Sequence, residues 1–238
     1  MNLSMDQLDP SGDIRTLADD AGAWDPAGTR REMLKRAGVA GLGVAAGGTL
    51  LGAFLSPLEA AAQAGKINWV RRKSAANDVK IGNYALTLEY LEAAFYTQAV
   101  ANGRLPDHDV MELARTLRNH EVAHVKALKG ILGKAAVKAP KVDFGTAVTD
   151  QGTFLKVAAT IEPVGTAAYA GAGPYVKTRS IVKAALAIHS VEANHAAWVA
   201  ALLKYKYGDK SSPAPNAFNP AFGRDKVLKI VGDTGFLK

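Results

Sequence analysis

The chain is 238 residues long, with 29 Lys and Arg against 22 Asp and Glu, a formal charge of +7 and no cysteine. A chain without cysteine forms no disulfide and does no thiol redox or iron–sulfur chemistry, so its stability rests on packing or on a metal held by other donors. The basic balance would suit nucleic acid, but the lysines are scattered, without aromatic interleaving and with no run denser than Arg71-Arg72-Lys73; no nucleic-acid partner is expected, and an anionic cell-envelope surface fits better.

Residues 1–64 read as a segment outside the folded domain. Met1 to Gly28 is polar and acidic, an extended leader expected to be disordered. Thr29-Arg30-Arg31-Glu32-Met33-Leu34-Lys35 closely resembles a twin-arginine export signal, with Met33 where Phe is commoner. A Gly/Ala-rich apolar run from Ala37 to Leu55 follows, and then Ala62-Gln63-Ala64 before Gly65, an A-x-A cleavage pattern. The run approaches the roughly 20 residues a membrane anchor needs, but its glycines and the cleavage pattern behind it favour a removable signal peptide. Cleavage after Ala64 leaves 174 residues, enough for one domain with a proper core. Residues 1–64 carry five Lys/Arg and eight Asp/Glu, a balance of −3, so the overall +7 becomes +10 for the remainder. The expected location is periplasmic or extracellular, with the twin-arginine export machinery as a partner.

Gly65 to Lys73 is a short linker that includes Trp69. The first helix is expected from an Asn77-Asp78 cap to about Ala101, with Gly103 as its stop. Its apolar positions, among them Ile81, Tyr84, Ala85, Leu88, Leu91, Ala94 and Phe95, recur at three and four. After a tight turn at Arg104-Leu105, a second helix starts at Pro106 or Asp107 and ends around Gly130 to Gly133. Lys134 to Thr149 is a linker holding Pro140, its Val and Phe placed on the outside of the bundle. A third helix opens near Asp150 and fades at Gly171-Ala172-Gly173-Pro174; a fourth runs from about Lys177 to Tyr207 and stops at Gly208. The tail, 209–238, reads as an extended wrap ending in a short helix around Lys226 to Val231.

Two copies of one word organise this layout: Glu121-Val122-Ala123-His124 and Glu192-Ala193-Asn194-His195. On a helix, residues three apart share a face, so each word aims a carboxylate and an imidazole the same way. Glu89 and Glu162 complete a set of four carboxylates and two imidazoles, which is what two divalent metals need inside a four-helix bundle. Glu89 lies about 15 residues before the first turn and Glu121 about 16 after it, while Glu162 and Glu192 flank their own turn symmetrically at a midpoint of 177. At 1.5 Å per residue, each pair falls at matching height. The 16-residue linker between the hairpins is long enough to run the length of the bundle. The fold expected is therefore all-α, an antiparallel four-helix bundle with one long crossover between its second and third helices.

The hairpins also repeat each other. Glu89-Tyr90-Leu91-Glu92-Ala93-Ala94-Phe95-Tyr96 aligns with Glu162-Pro163-Val164-Gly165-Thr166-Ala167-Ala168-Tyr169, each with Tyr seven residues after Glu. The alignment prefers Glu89 to Glu92 as the ligand of the first helix and leaves Glu92, three residues on, as the alternative or as a neighbour of the ligands. Pro163 poses a choice, since a helix-interior proline removes a hydrogen bond: the third helix bends at the site, or a shorter helix starts there and weakens Glu162 as a ligand. His189 makes a His-x-x-Glu-x-x-His run and is a candidate neighbour or extra ligand. His108 and His120 read as surface residues and Trp198 as packing.

Asn83 to Tyr96 resembles the bacterial ferritin-like domain family related to desiccation-associated proteins, within the ferritin-like superfamily, and the resemblance extends over roughly Asn77 to Tyr207. It implies that Glu121 and Glu192 bridge two metals, that His124 and His195 each cap one, and that Glu89 and Glu162 are terminal ligands. It places Tyr96 and Tyr169 beside the site, as candidates for a redox or hydrogen-bonding role in catalysis. Carboxylate and imidazole suit two Fe or two Mn ions. The resemblance thus implies an exported di-metal oxidoreductase acting on ferrous iron, peroxide or oxygen in stress protection, with a small-molecule oxidant as its partner; a homodimer is compatible with it. The alternative is a non-catalytic stress or desiccation protein in which the metal is a structural staple or is missing.

Overall fold

The computed structural model describes residues 73–238. The twin-arginine motif, the apolar run, the A-x-A pattern and Trp69 lie outside the described residues. Among the described residues the chain is helical: α1 (Ala75–Asn102), α2 (His108–Leu132), α3 (Gln151–Ala172), α4 (Arg179–Tyr207) and α5 (Arg224–Asp233), with three short 3-10 turns and a single isolated β-bridge between Val142 and Leu237. The first four helices form two antiparallel hairpins that pack together as a four-helix bundle. No described helix is long and apolar enough to cross a membrane.

The helix ends follow local chemistry. Asp107 caps α2 by accepting from the backbone N–H groups of Asp109 and Val110, and Asp150 caps α3 by accepting from Thr153. Gly103 and Gly208 close α1 and α4 in the left-handed region, at φ 63° and 69°, where a side chain would be strained. At α1 the structure differs from the sequence expectation: Ser74 is the cap, accepting from Asn77 N–H, and the helix begins before Asn77 and Asp78. Asp78 is instead buried and turned across the bundle. Its carboxylate accepts from the N–H groups of Lys177 and Thr178, at 2.8 and 3.0 Å, and from the Thr178 hydroxyl at 2.6 Å. A residue of α1 thereby fixes the start of α4.

The opposite end of the bundle is tied in the same manner. Asp107 accepts from Lys206 Nζ at 2.6 Å and from the Tyr207 hydroxyl at 2.7 Å, joining the start of α2 to the end of α4. The crossover, 133–150, runs along α1. Asn83 near the top of α1 donates to Ala135 O and accepts from Val137 N, whereas Asn102 at the bottom donates to Val148 O. Val137 of this linker is exposed, but contrary to expectation not all its apolar residues stay outside. Phe144 and Val148 are buried in the main core, where Phe144 meets Phe95 edge to face, and Phe95 stacks on Phe154 at 5.2 Å.

Pro163 does not interrupt α3, which continues unbroken from Gln151 to Ala172 with Pro163 on its exposed side; no shorter helix starts there, and Glu162 stays fully buried. The C-terminal segment packs α5 on α3 through Val227 and Val231. Upstream of α5, Phe222 N–H donates to Ala167 O at 2.9 Å, and a Cβ on Gly171 would come within 2.0 Å of Phe222 O, so only glycine admits the tail there.

The tie from Asp78 to α4 is testable. A hydrogen bond to a charged group contributes about 1.5–3 kcal/mol. Asp78→Ala is expected to cost about 2–3 kcal/mol net and to lower Tm by about 5–10 °C in thermal unfolding followed by circular dichroism. An unchanged Tm would show that apolar packing alone positions α4.

Candidate metal centre

Four helices deliver the polar heart of the bundle: Glu89 from α1, Glu121 and His124 from α2, Glu162 from α3, Glu192 and His195 from α4. All six are buried, His124 the most accessible at 8%. They lie between two apolar clusters, the Phe95–Phe144–Phe154 core on one side and Leu86, Leu128, Leu132 and Ile188 on the other. The matched heights follow from the antiparallel pairing, with residues equally far from a turn standing side by side.

His124 Nδ1 lies 3.1 Å from Glu89 Oε2, 3.1 Å from Glu121 Oε2 and 3.2 Å from Glu192 Oε1. His195 Nδ1 lies 3.0 Å from Glu121 Oε1, 3.2 Å from Glu162 Oε2 and 3.9 Å from Glu192 Oε1. Glu121 thus turns one oxygen to each imidazole. Two groups result, Glu89–Glu121–His124–Glu192 and Glu121–Glu162–Glu192–His195, each with its ligand atoms within 4.8 Å of one another, and Glu121 and Glu192 belong to both. Glu89, rather than Glu92, has its carboxylate in these groups. A third acidic group, His108–Asp109–Glu112, is exposed, and its Asp109 is taken up by Lys206.

The donor atoms fit a metal better than they fit each other. Glu121 Oε1, Glu162 Oε2, both oxygens of Glu192 and His195 Nδ1 are buried with no hydrogen-bond partner among the described residues, although they lie close together. An unsatisfied buried polar atom costs about 1–3 kcal/mol, more when charged. A cation held between them could satisfy these atoms together.

The two tyrosines brace the set crosswise. The Tyr96 hydroxyl of α1 donates to Glu162 of α3, and the Tyr169 hydroxyl of α3 donates to Glu89 of α1 at 2.5 Å. Each therefore holds one carboxylate oxygen of the opposite hairpin and leaves the other oxygen to the cluster. Burial among the carboxylates pushes both phenols well above their ordinary value.

Two features go beyond the sequence reading. His120 is exposed as expected, yet its Nδ1 lies 2.9 Å from Nε2 of His195, with the rings stacked at 5.1 Å, so it is the outer partner of a cluster imidazole. His189 is no member of either group; its Nδ1–H donates to Thr166 O. Sequence reading also overlooked Gly165, where a Cβ would sit 2.8 Å from Glu192 Oε2 and 3.2 Å from Glu92 Oε1. The hairpin alignment held the clue, because Gly165 stands opposite Glu92 in it.

The chain matches the ferritin-like domain family over residues 77–205, more than half its length. An all-helical bundle with a buried Glu/His cluster that could hold metal is what fold and site define. The chain belongs to the ferritin-like domain family. Among curated proteins, none matches it.

Without metal the cluster is an electrostatic problem solved with protons. Burial pushes Glu89 up to about 8, and it drives Glu192 well above the carboxylate range. Glu121 resists the push of burial, because the imidazoles of His124 and His195 hold it down at about 2. Burial alone would lower both histidines; the surrounding carboxylates overcome it and raise His124 to about 12 and His195 to about 10. Between 4.5 and 8 the folded protein keeps the Glu89 proton that the unfolded chain has released, so stability falls as pH rises through that window. The histidines act in the same direction: their stabilisation is complete below 6.5 and is lost as pH climbs toward 10 and 12. Glu121 opposes them only below 4.5, where stability falls as pH drops toward 2. Metal-free protein is therefore expected to be most stable near about pH 5 and to lose at least about 5 °C of Tm by pH 9. Because ligands bind metal deprotonated, added Mn2+ should raise Tm more at pH 8 than at pH 5.5. A flat Tm from pH 5 to 9 would show that the cluster carries no bound protons.

Proposed function

We propose that this chain is an exported di-metal carboxylate protein, an oxidoreductase acting on ferrous iron, peroxide or oxygen in stress protection at the cell envelope. The observation that carries the reading is the pair of ligand groups sharing Glu121 and Glu192. In it Glu121 and Glu192 would be shared between the two ions, Glu89 with His124 would complete the ligands of one and Glu162 with His195 those of the other, and Tyr96 and Tyr169 orient the terminal carboxylates. Oxygen and imidazole donors without thiolate suit Fe or Mn. Two such ions, when bound, would supply paired one-electron redox chemistry toward a small oxidant. The chain's part is to aim the carboxylates, which would give up their protons as metal binds, to keep bulk water out with two apolar clusters, and to place phenol groups beside the terminal ligands. Export through the twin-arginine route, which carries folded proteins with cofactor in place, agrees with a site so fully buried, and it puts the protein in the periplasm or outside the cell.

That same burial gives the second reading its force. Structural metal sites are closed, whereas catalytic ones keep an open position, and here every ligand is enclosed by the bundle. Elemental analysis of protein purified from its native export pathway, followed by ferrous-iron and peroxide turnover assays, separates the two. About two Fe or Mn per chain are expected, lost in Glu121→Ala along with turnover. Two ions with no turnover, and a lower Tm in Glu121→Ala, would make the metal a staple. No metal in the parent protein would overturn the di-metal reading.

A further inference from the structure

The repeat between the hairpins breaks at one place. Three residues after Glu89 stands Glu92; three residues after Glu162 stands Gly165. The two positions face each other between α1 and α3, and the carboxylate of one occupies the space left by the missing side chain of the other. Any Cβ at Gly165 would meet Glu92 Oε1 at 3.2 Å and Glu192 Oε2 at 2.8 Å, so both carboxylates converge on one point above the glycine.

Glu92 is only 3% exposed, and its Oε2 has no hydrogen-bond partner among the described residues, nor has either oxygen of Glu192. Two carboxylates brought together in an apolar bundle, with no donor between them, need a shared cation or a shared proton. Glu92 lines a small cavity of about 10 Å3, walled by Gly165 on α3 and by Ile230 and Val231 of α5, and a wider recess of about 260 Å3 adjoins that cavity at Ile161 and Thr234.

We propose that Glu92 is a fifth carboxylate of the metal centre, supplying an oxygen to a divalent cation from the Gly165 side together with Glu192 Oε2. The inference rests on the di-metal reading and deepens it: the two hairpins then contribute unequally, and the two ions differ in their ligands. Gly165 is the positioning element, since only a residue without Cβ lets both carboxylates approach.

The test is calorimetric titration of the metal-free full chain with Mn2+, for the parent protein and for Glu92→Gln, Glu92→Asp and Gly165→Ala, with circular dichroism to establish that each is folded. The parent should bind two ions. Glu92→Gln should keep the stoichiometry but bind one ion about tenfold or more weakly. Glu92→Asp keeps the charge but loses reach, and should be weakened likewise; Gly165→Ala should weaken the same ion. Parent-like affinities in Glu92→Gln would overturn the assignment. So would Glu92→Asp behaving as the parent while Glu92→Gln is weakened, because charge alone would then be the cause. No binding by the parent is a separate outcome, one that overturns the metal centre itself.

Discussion

Five carboxylates, Glu89, Glu92, Glu121, Glu162 and Glu192, share the interior of one helical bundle with only two imidazoles as counter-charges. Transferring each ionised group from water costs several kcal/mol even after relaxation, and that cost sets the conditions for everything around it. Protons can relieve it, which is why four of the five acids are pushed upward and both histidines are held charged. Cations relieve it more completely, because they satisfy the unpaired oxygens as well as the charge. The fold has to supply enough apolar packing elsewhere to keep this centre closed, and the clusters on both sides of it do so.

Closing the centre is not enough; its helices must also be held in register. A shift of one residue along a helix moves a side chain by about 1.5 Å and rotates it by about 100°, which would carry a ligand out of reach. The structure fixes the rods at their ends, away from the charges. Asp78 anchors α4 to α1 at one end, and Asp107 anchors it to α2 at the other. These acids accept strong hydrogen bonds in places where their charge is matched. Between the ends, Tyr96 and Tyr169 tie α1 to α3 through the ligands themselves. Register and ligation are therefore parts of one device, with the tyrosines sensitive to both.

Much of this was legible before any coordinates, because the relevant periodicities are local. Glu-x-x-His states a common helix face, and equal distances from a turn state equal heights, so the approach of Glu89 to Glu121 and of Glu162 to Glu192 follows from counting residues. What escaped the sequence depends on side chains meeting across helices. Nothing near Ser74 distinguishes it from Asp78 as a cap, since both residue types cap well; the choice was made by Thr178, a hundred residues away. Phe144 reads as a loop residue until Phe95 and Phe236 offer it rings to meet. His120 looks like any exposed histidine on α2, and only the packing of α4 brings it against His195. Pro163 was judged by what proline does to an isolated helix, whereas on the exposed side of α3 the helix carries on through it.

Two departures from the hairpin repeat fall on the α1–α3 face. The two Glu-x-x-His words sit on α2 and α4 and repeat closely. The lone-glutamate helices differ instead: α1 carries Glu92 where α3 carries Gly165, and α3 carries Pro163 where α1 carries Tyr90. That face is also where the C-terminal segment lies, with Phe222 seated over Gly171 and α5 covering the cavity beside Glu92. This segment begins beyond the residues matched by the family, which end at 205. A buried charge close to a surface groove is costly while water can reach it irregularly and its partners are not fixed; an amphipathic helix laid over the groove, with Val227, Ile230 and Val231 toward it, removes that water. The extension and the extra carboxylate thus answer to the same constraint. A bundle that placed Glu92 beneath this face needed Gly165 to admit it and α5 to enclose it.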